Sequence, residues 1–473
     1  MRASSAHRPS LAVYRWSGSR HEPRPVPMPD LSAPETIVAI ATPPGRGGIG
    51  VIRLSGPVAA SIGQALLGSL PAPRRAALRP FLDATGEQLD TGLAIWSPSP
   101  HSFTGEDVLE LHAHGSPVVL DLLVEACLAL GARVARPGEF SERAFLNDRM
   151  DLAQAEAIAD LIDAGTATAA RAALRSMEGE FSSRVRSLEA ALVDLRIHVE
   201  AAIDFAEEEI ELLSDAGVSG RLAILRDGFV ALLASAEQGR LLQEGATVVI
   251  AGRPNAGKSS LLNVLAGRDA AIVTPTPGTT RDVLRERIDL DGLAVWLLDT
   301  AGLRDSVDPI EAEGMRRTRH EISRADHVLY IVDASDANAR AALVDEVAAF
   351  PDGAAVTIVL NKVDLAPVDP SPAIAVSALS GHGLAELRCV IKDALGYRTG
   401  EEGILSARRR HLDALHRSNA HVAQAVARLS THDGTELVAE ELRLAHEALG
   451  EITGRTSSDD LLGEIFSRFC IGK

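Results

Sequence analysis

The sequence predicts a multidomain chain of mixed class. An N-terminal α/β or α+β unit comes first, followed by a helical domain split into two parts with a parallel α/β domain inserted between them. Three observations predict this. The chain has 473 residues, which at roughly 150 residues per domain suggests about three domains. Between 151 and 204 apolar side chains recur in steps of three and four, at Leu174, Met177, Phe181, Val185, Leu188, Leu192, Leu195 and Val199. That spacing describes one stripe on a long helix, the pattern of bundle core. From 246 to 396 strand-like and helix-like runs alternate, as they do over a parallel sheet.

Each segment is justified in turn. Residues 1–34 carry Arg2, Arg8, Arg15, Arg20 and Arg24 and six prolines, so a disordered extension is expected. A transit peptide, or a start at Met28, is the other reading of that tail. Over 35–148, Thr36–Ala41 and Val51–Leu54 are strand-like, a Gly-rich loop (Pro43–Gly50) joins them, and Val118–Leu130 has helical spacing. Residues 149–245 form the first helical part, and Glu207–Glu209 is expected on a solvated helix face. Within 246–396 the predicted strands are Thr247–Ala251, Val295–Asp299, Val328–Asp333, Val356–Asn361 and Ile374–Ser377. The second helical part, 397–473, has helical runs at Arg408–Leu429 and Thr435–Ile452.

Composition excludes several classes. The net charge is −18 and aromatics are 3%, which argues against a chain that coats nucleic acid unaided or stacks bases. No apolar run approaches the ~18 residues of a membrane span. Three distant cysteines, Cys127, Cys389 and Cys470, exclude a disulfide framework and fit a reducing, cytoplasmic setting. Only four of the 47 basic residues are lysine: Lys258, Lys362, Lys392 and Lys473. In such a chain each lysine can mark a place that needs a compact ammonium, although chance is the preferred account of Lys392.

Four motifs follow in order. Gly252-Arg-Pro-Asn-Ala-Gly-Lys-Ser259 follows a strand and opens a helix predicted over Ser260–Leu265, so it reads as a phosphate loop. Backbone N–H groups of Asn255, Ala256, Gly257 and Ser260 would wrap phosphates. Lys258 would reach the β- and γ-phosphates, and the Ser259 hydroxyl would bind Mg²⁺. Asp299, Thr300, Ala301 and Gly302 end a strand, where a carboxylate can hold Mg²⁺ through water. Asn361-Lys362-Val-Asp364 ends another, and Asp364 can accept from the N1–H and 2-amino edge of guanine, which adenine lacks. Ser377-Ala378-Leu379 can close over the base. The four together point to a P-loop GTPase domain of Ras-like type. Thr280, in Gly278–Asp282, can complete the Mg²⁺ shell. Leu303 stands where Ras-type enzymes orient water with glutamine, so another polar group must do so. Asn255 is either a cation ligand or a turn-stabilising side chain, and the residues alone leave the two even.

Over 35–473 the chain resembles the MnmE (TrmE) family of tRNA-modifying GTPases. The specific matches are Thr42–Gly48, Phe103–Leu111, Pro137–Asn147 and Cys470-Ile-Gly-Lys473. The resemblance implies a potassium-activated homodimer that hydrolyses GTP. Asn255, the carbonyls of Thr274 and Thr276, and Thr279 would hold K⁺, Ser259 and Thr280 would hold Mg²⁺, and Glu311 would orient water. The N-terminal domain would dimerise and bind 5-formyl- or 5,10-methylene-tetrahydrofolate through Arg53, Glu110, Arg149 and Lys473. A heterotetramer with the FAD-dependent protein MnmG would modify C5 of the wobble uridine, with tRNA held mainly by that partner and no membrane involved. Arg149 stands where the family often has lysine, and Pro275 is unusual in the cation loop. A ribosome-assembly GTPase and a folate-binding scaffold with GTP as regulator are the competing readings. The first usually carries a basic RNA-binding module, and none is visible here.

Overall fold

A computed structural model describes residues 35–83, 85–204, 216–269, 285–299, 322, 324–348, 350–351, 354–366, 373–399, 403–431, 435–456, 458–470 and 472. The expected tail (1–34) and the Glu207–Glu209 face lie outside them.

The first sheet contains β1 (Ile37–Ile40), β2 (Gly50–Ser55), β3 (Ala76–Leu82), β4 (Gln88–Ser97), β5 (Val108–Ala113) and β6 (Arg133–Val134), in the order β3-β4-β5-β2-β1-β6. Pairing is antiparallel except between β1 and β6. Alternation along β2 buries Ile52 and Leu54 and sends Arg53 to the opposite face. Helices α1 (Ala59–Leu67) and α2 (Pro117–Ala129) close the core through Ile62, Leu66 and Leu123. Strands β3 and β4 were not anticipated. β3 is an edge strand that carries Pro80, a residue tolerated only where a ladder N–H is dispensable.

Helices α3 (Glu139–Leu146), α4 (Leu152–Asp163), α5 (Ala167–Met177), α6 (Glu180–Asp204) and α7 (Ala216–Glu244) follow. The single long helix predicted from the apolar stripe is two helices. Gly179 takes φ +92°, and α5 closes with Glu178 N–H to Leu174 O and Gly179 N–H to Ser176 O. A left-handed residue ends a helix whatever the side-chain period. Leu174 is consequently exposed on α5, whereas Phe181, Val185, Leu192, Leu195 and Val199 stay buried on α6. They pack with Leu222 and Phe229 of α7 and with Leu415, Val422, Leu442 and Leu449 of the Arg409–Thr431 and Thr435–Thr453 helices. Helices before and after the second sheet therefore share one core.

The second sheet contains β7 (Ala246–Gly252), β8 (Arg285–Leu290), β9 (Leu293–Asp299), β10 (His327–Asp333), β11 (Val356–Asn361) and β12 (Ile374–Ala375), in the order β12-β11-β10-β7-β9-β8. All neighbours are parallel except β8 and β9. Val248, Ile250, Leu329 and Ile331 are buried on one face, and Val249, Ala251, Val328 and Tyr330 on the other, as a sheet covered on both sides requires. The class is α/β plus helical, as the sequence predicts. The chain leaves this sheet through Ile404–Arg408, which is fastened to the helices. Arg175 donates to Ile404 O at 2.6 Å, Ser406 Oγ to Asp160 at 2.6 Å, and Arg408 pairs with Asp160 at 2.7 Å.

Candidate active site

The predicted phosphate loop, the Asn361 motif and the Ser377 loop all lie at the carboxyl ends of parallel strands, where α/β sheets open their binding crevice. Strand β7 ends on Gly252, at φ +143° and so close to β10 that a Cβ would stand 2.2 Å from Ile331 O. Only glycine permits that approach. Helix α8 (Lys258–Asp269) begins two residues earlier than predicted, which puts Lys258, Ser259 and Ser260 in its first turn. Lys258 is buried, and its ammonium donates to Gly252 O at 3.0 Å and Arg253 O at 2.9 Å.

Asn361 ties two loops together. It is 1% exposed. Its Nδ2 donates to Ala256 O at 3.0 Å, and its Oδ1 accepts from Ala378 N–H at 3.1 Å. Lys362 donates to Asn255 O at 2.7 Å and to Asp333 Oδ2 at 2.6 Å. Asp333 Oδ1 in turn accepts from the Ser335 N–H (2.9 Å) and hydroxyl (2.6 Å). Burial pushes the Asp333 carboxyl up, but the Lys362 and Ser335 hydrogen bonds outweigh it and hold it below the usual range. Asn255 is exposed at φ +61°, a conformation asparagine adopts more readily than most residues. Asp364 and Leu379 are exposed beside the Asn361 bridge, and Ser377 is buried.

A second cluster lies on the first sheet. Arg53 and Glu110 are register partners on β2 and β5, and Arg53 Nε meets Glu110 Oε1 at 2.8 Å. The guanidinium lies over the Phe103 and Phe140 rings at 5.2 and 5.8 Å and faces Gly472 O at 3.5 Å. Gly472 lies against β1, where a Cβ would be 2.6 Å from Ile40 O. Arg149 is exposed, with its stem beside Gly105. Among the described residues it makes no ion pair with Glu110.

Residues 36–149 match the family of the GTP-binding protein TrmE N-terminus, and 152–470 match the MnmE helical domain. A tRNA modification GTPase MnmE of Stutzerimonas stutzeri is 55% identical over 454 residues, covering 94% of this chain and all of the relative. Its counterpart in Sodalis glossinidius is 54% identical over 458 residues, with 94% and 100% coverage. The chain belongs to the MnmE family of tRNA modification GTPases. Like its relatives it is a GTP hydrolase acting in tRNA modification, so the loops above belong to a GTP-binding domain.

For a member of the MnmE family, the structure brings Asn255, Ala256, Gly257, Lys258, Asn361, Lys362 and Ala378 together at one sheet end, and Arg53 with Glu110 at another. Asp299 closes β9 beside Ile250 of β7. Its side chain, together with Thr274, Thr276, Thr279, Thr280, Thr300, Ala301, Gly302, Glu311 and Lys473, lies outside the described residues. Lys392 has a structural reason that chance does not supply: it is buried and pairs with Asp291 at 2.5 Å. Two features escaped the sequence reading. Asp333 was visible as an acid at a strand's carboxyl end. Asp291-Gly292 was visible as a two-residue hairpin signal. Among the described residues no helix is long and apolar enough to cross a membrane.

Proposed function

We propose that this MnmE-family GTPase is activated by potassium. With the FAD-containing partner MnmG, it would form the aminomethyl or carboxymethylaminomethyl group at C5 of the wobble uridine of certain tRNAs. The carbon would come from a tetrahydrofolate derivative. The proposed division of the chain is 35–148 for folate binding and dimerisation, 149–245 with 397–473 for the helical domain, and 246–396 for the GTPase domain. It would act as a cytoplasmic homodimer that joins MnmG in a heterotetramer and meets tRNA mainly through that partner.

The observation that carries the cation is Asn255. Its main-chain carbonyl is engaged by Lys362, so a ligand from this residue would be the side-chain amide oxygen. Asn255, the carbonyls of Thr274 and Thr276, and Thr279 would hold K⁺, while Ser259 and Thr280 would hold Mg²⁺. A monovalent cation there would neutralise charge developing between the β- and γ-phosphates, as an arginine does elsewhere. Glu311 would orient the attacking water, which Leu303 cannot do. The paired, half-buried Arg53 and Glu110 support the folate assignment. A guanidinium beside a carboxylate offers the donor and acceptor that a pterin edge and a carboxylate tail require, with Arg149 and Lys473 as further cations.

GTP turnover in KCl and in NaCl at equal ionic strength tests the cation, with turnover expected several-fold faster in KCl. Equal rates would refute it. Mass spectrometry of wobble nucleosides from cells lacking the gene tests the rest. C5-modified uridines should vanish, and wild type but not Glu311→Ala should restore them. Unchanged nucleosides would refute the modification role, and rescue by Glu311→Ala would favour the scaffold reading.

A further inference from the structure

Strands β8 and β9 form one hairpin whose open end adjoins in sequence two runs of the proposed GTP site. β9 ends on Asp299 of the Asp-Thr-Ala-Gly run, and β8 begins three residues after Asp282 of the Gly278–Asp282 run. The turn, Asp291-Gly292, lies at the opposite end, about 20 Å away at ~3.3 Å per residue. Both turn residues have positive φ, +53° and +101°, the geometry of a tight two-residue connection. Such a turn makes the hairpin a stiff lever.

The turn is held from two sides. Its own domain holds Asp291 through Lys392 at 2.5 Å, and just past that domain's proposed end the Tyr397 hydroxyl donates to Asp291 O at 3.2 Å. The helical region holds Gly292, because Thr166 Oγ1 donates to Gly292 O at 2.7 Å. Thr166 is 7% exposed, and the same oxygen accepts from Ala169 N–H as the N-cap of α5. Thr168 packs so closely that a Cβ on Gly292 would stand 2.4 Å from its hydroxyl. Further along β8, the Arg287 guanidinium stacks on Trp296 at 5.3 Å. It also occupies the space over Gly165, where a Cβ would lie 1.5 Å from Nη2. One buried hydroxyl thus joins the first turn of a bundle helix to the lever.

We infer that Thr166, although outside the GTP-binding domain, is a positioning residue for the GTP site, acting through the β8–β9 turn. Its hydrogen bond biases where the outer ends of the hairpin stand. It therefore affects how strongly the protein distinguishes a triphosphate from a diphosphate. Coupling of this kind is reciprocal, so the γ-phosphate would bias the helical region through the same contact. The inference rests on the expected role of Asp299 in holding Mg²⁺ through water at the GTP site.

The test is equilibrium titration of the full chain with fluorescent GDP and with a fluorescent non-hydrolysable GTP analogue. Thr166→Val removes the donor. Thr166→Asp keeps an N-cap acceptor for α5 but cannot donate when ionised. Thr166→Ser keeps both bonds. The two disruptive variants should shift the analogue-to-GDP affinity ratio in the same direction by about 3- to 10-fold, the range of one net hydrogen bond. GDP affinity should stay within about twofold, and Thr166→Ser should behave as wild type. An unchanged ratio, or a parallel fall in both affinities, overturns the inference. Asp299→Asn separates the two failures. If it leaves the ratio unmoved, the Mg²⁺ reading of Asp299 is wrong and the inference falls with it. If it moves the ratio and the Thr166 variants do not, the lever alone is wrong.

Discussion

Glu156→Gln tests how the helical region grips the chain returning from the GTP-binding domain. Glu156 is 1% exposed on α4. Its carboxylate receives Arg410 Nε at 2.8 Å, Arg410 Nη2, and His411 Nε2 at 2.8 Å. Arg408 N–H donates to His411 Nδ1 at 3.1 Å. That nitrogen must therefore carry a lone pair, and the ring is neutral with its proton on Nε2. Burial and the nearby Arg410 charge push the His411 pKa down, in agreement. Burial alone would raise the Glu156 pKa, but its partners outweigh it and hold the carboxyl well below the usual range. Glutamine keeps the shape, removes the charge opposite Arg410, and turns an NH₂ toward groups that can only donate. Breaking a buried pair from one side costs about 3–5 kcal/mol. At about 2–4 °C per kcal/mol for a unit of 150–250 residues, the lower figure gives a fall in Tm of about 6–12 °C. Circular dichroism at a helix wavelength measures it. The folded-state pKa is depressed, so the contribution is full above the unfolded value of about 4.3 and fades as pH falls through the folded one. The gap between wild type and variant should be flat above about pH 5 and close below pH 4. A Tm within 2 °C of wild type at pH 7 would refute the reasoning.

Two further perturbations address the GTP site. Asn361→Ala removes both bonds between the phosphate loop and the Ser377 loop and leaves Ala256 O and Ala378 N–H without that partner. Two lost bonds with partial desolvation amount to about 2–3 kcal/mol, so fluorescent GDP should bind about 30- to 150-fold more weakly in an equilibrium titration. A change under threefold would show that the bridge is dispensable. Asp333→Asn weakens the hold on Lys362 and hence on Asn255, and stopped-flow release of fluorescent GDP should be faster than in wild type. Because the Asp333 pKa is depressed in the folded state, that difference should hold from pH 8 to 5 and narrow only below about 4. Narrowing already at pH 6 would mean that another group controls Lys362.

The sequence by itself determined the parallel class of the second sheet, the phosphate loop and the strand-end place of the Asn361–Asp364 motif. It could do so because each is set by neighbours in the chain. A strand leading into Gly252–Ser259 needs no distant contact to be recognised, and Asp364 stands three residues from Asn361. Tertiary structure decided the features that depend on residues far apart in sequence. Gly179 broke the apolar stripe that reads as one helix, because backbone handedness outranks side-chain period. The pairing of Arg53 with Glu110 came from strand register, and the closeness of Gly472 from the C-terminal segment folding back onto β1. Lys392 looked accidental until Asp291, 101 residues away, met it across the hairpin turn. Thr166 belongs to none of the motifs legible in the sequence. Only packing placed its remaining hydrogen-bond donor on Gly292, since a hydroxyl cannot reveal its second partner until the fold supplies one.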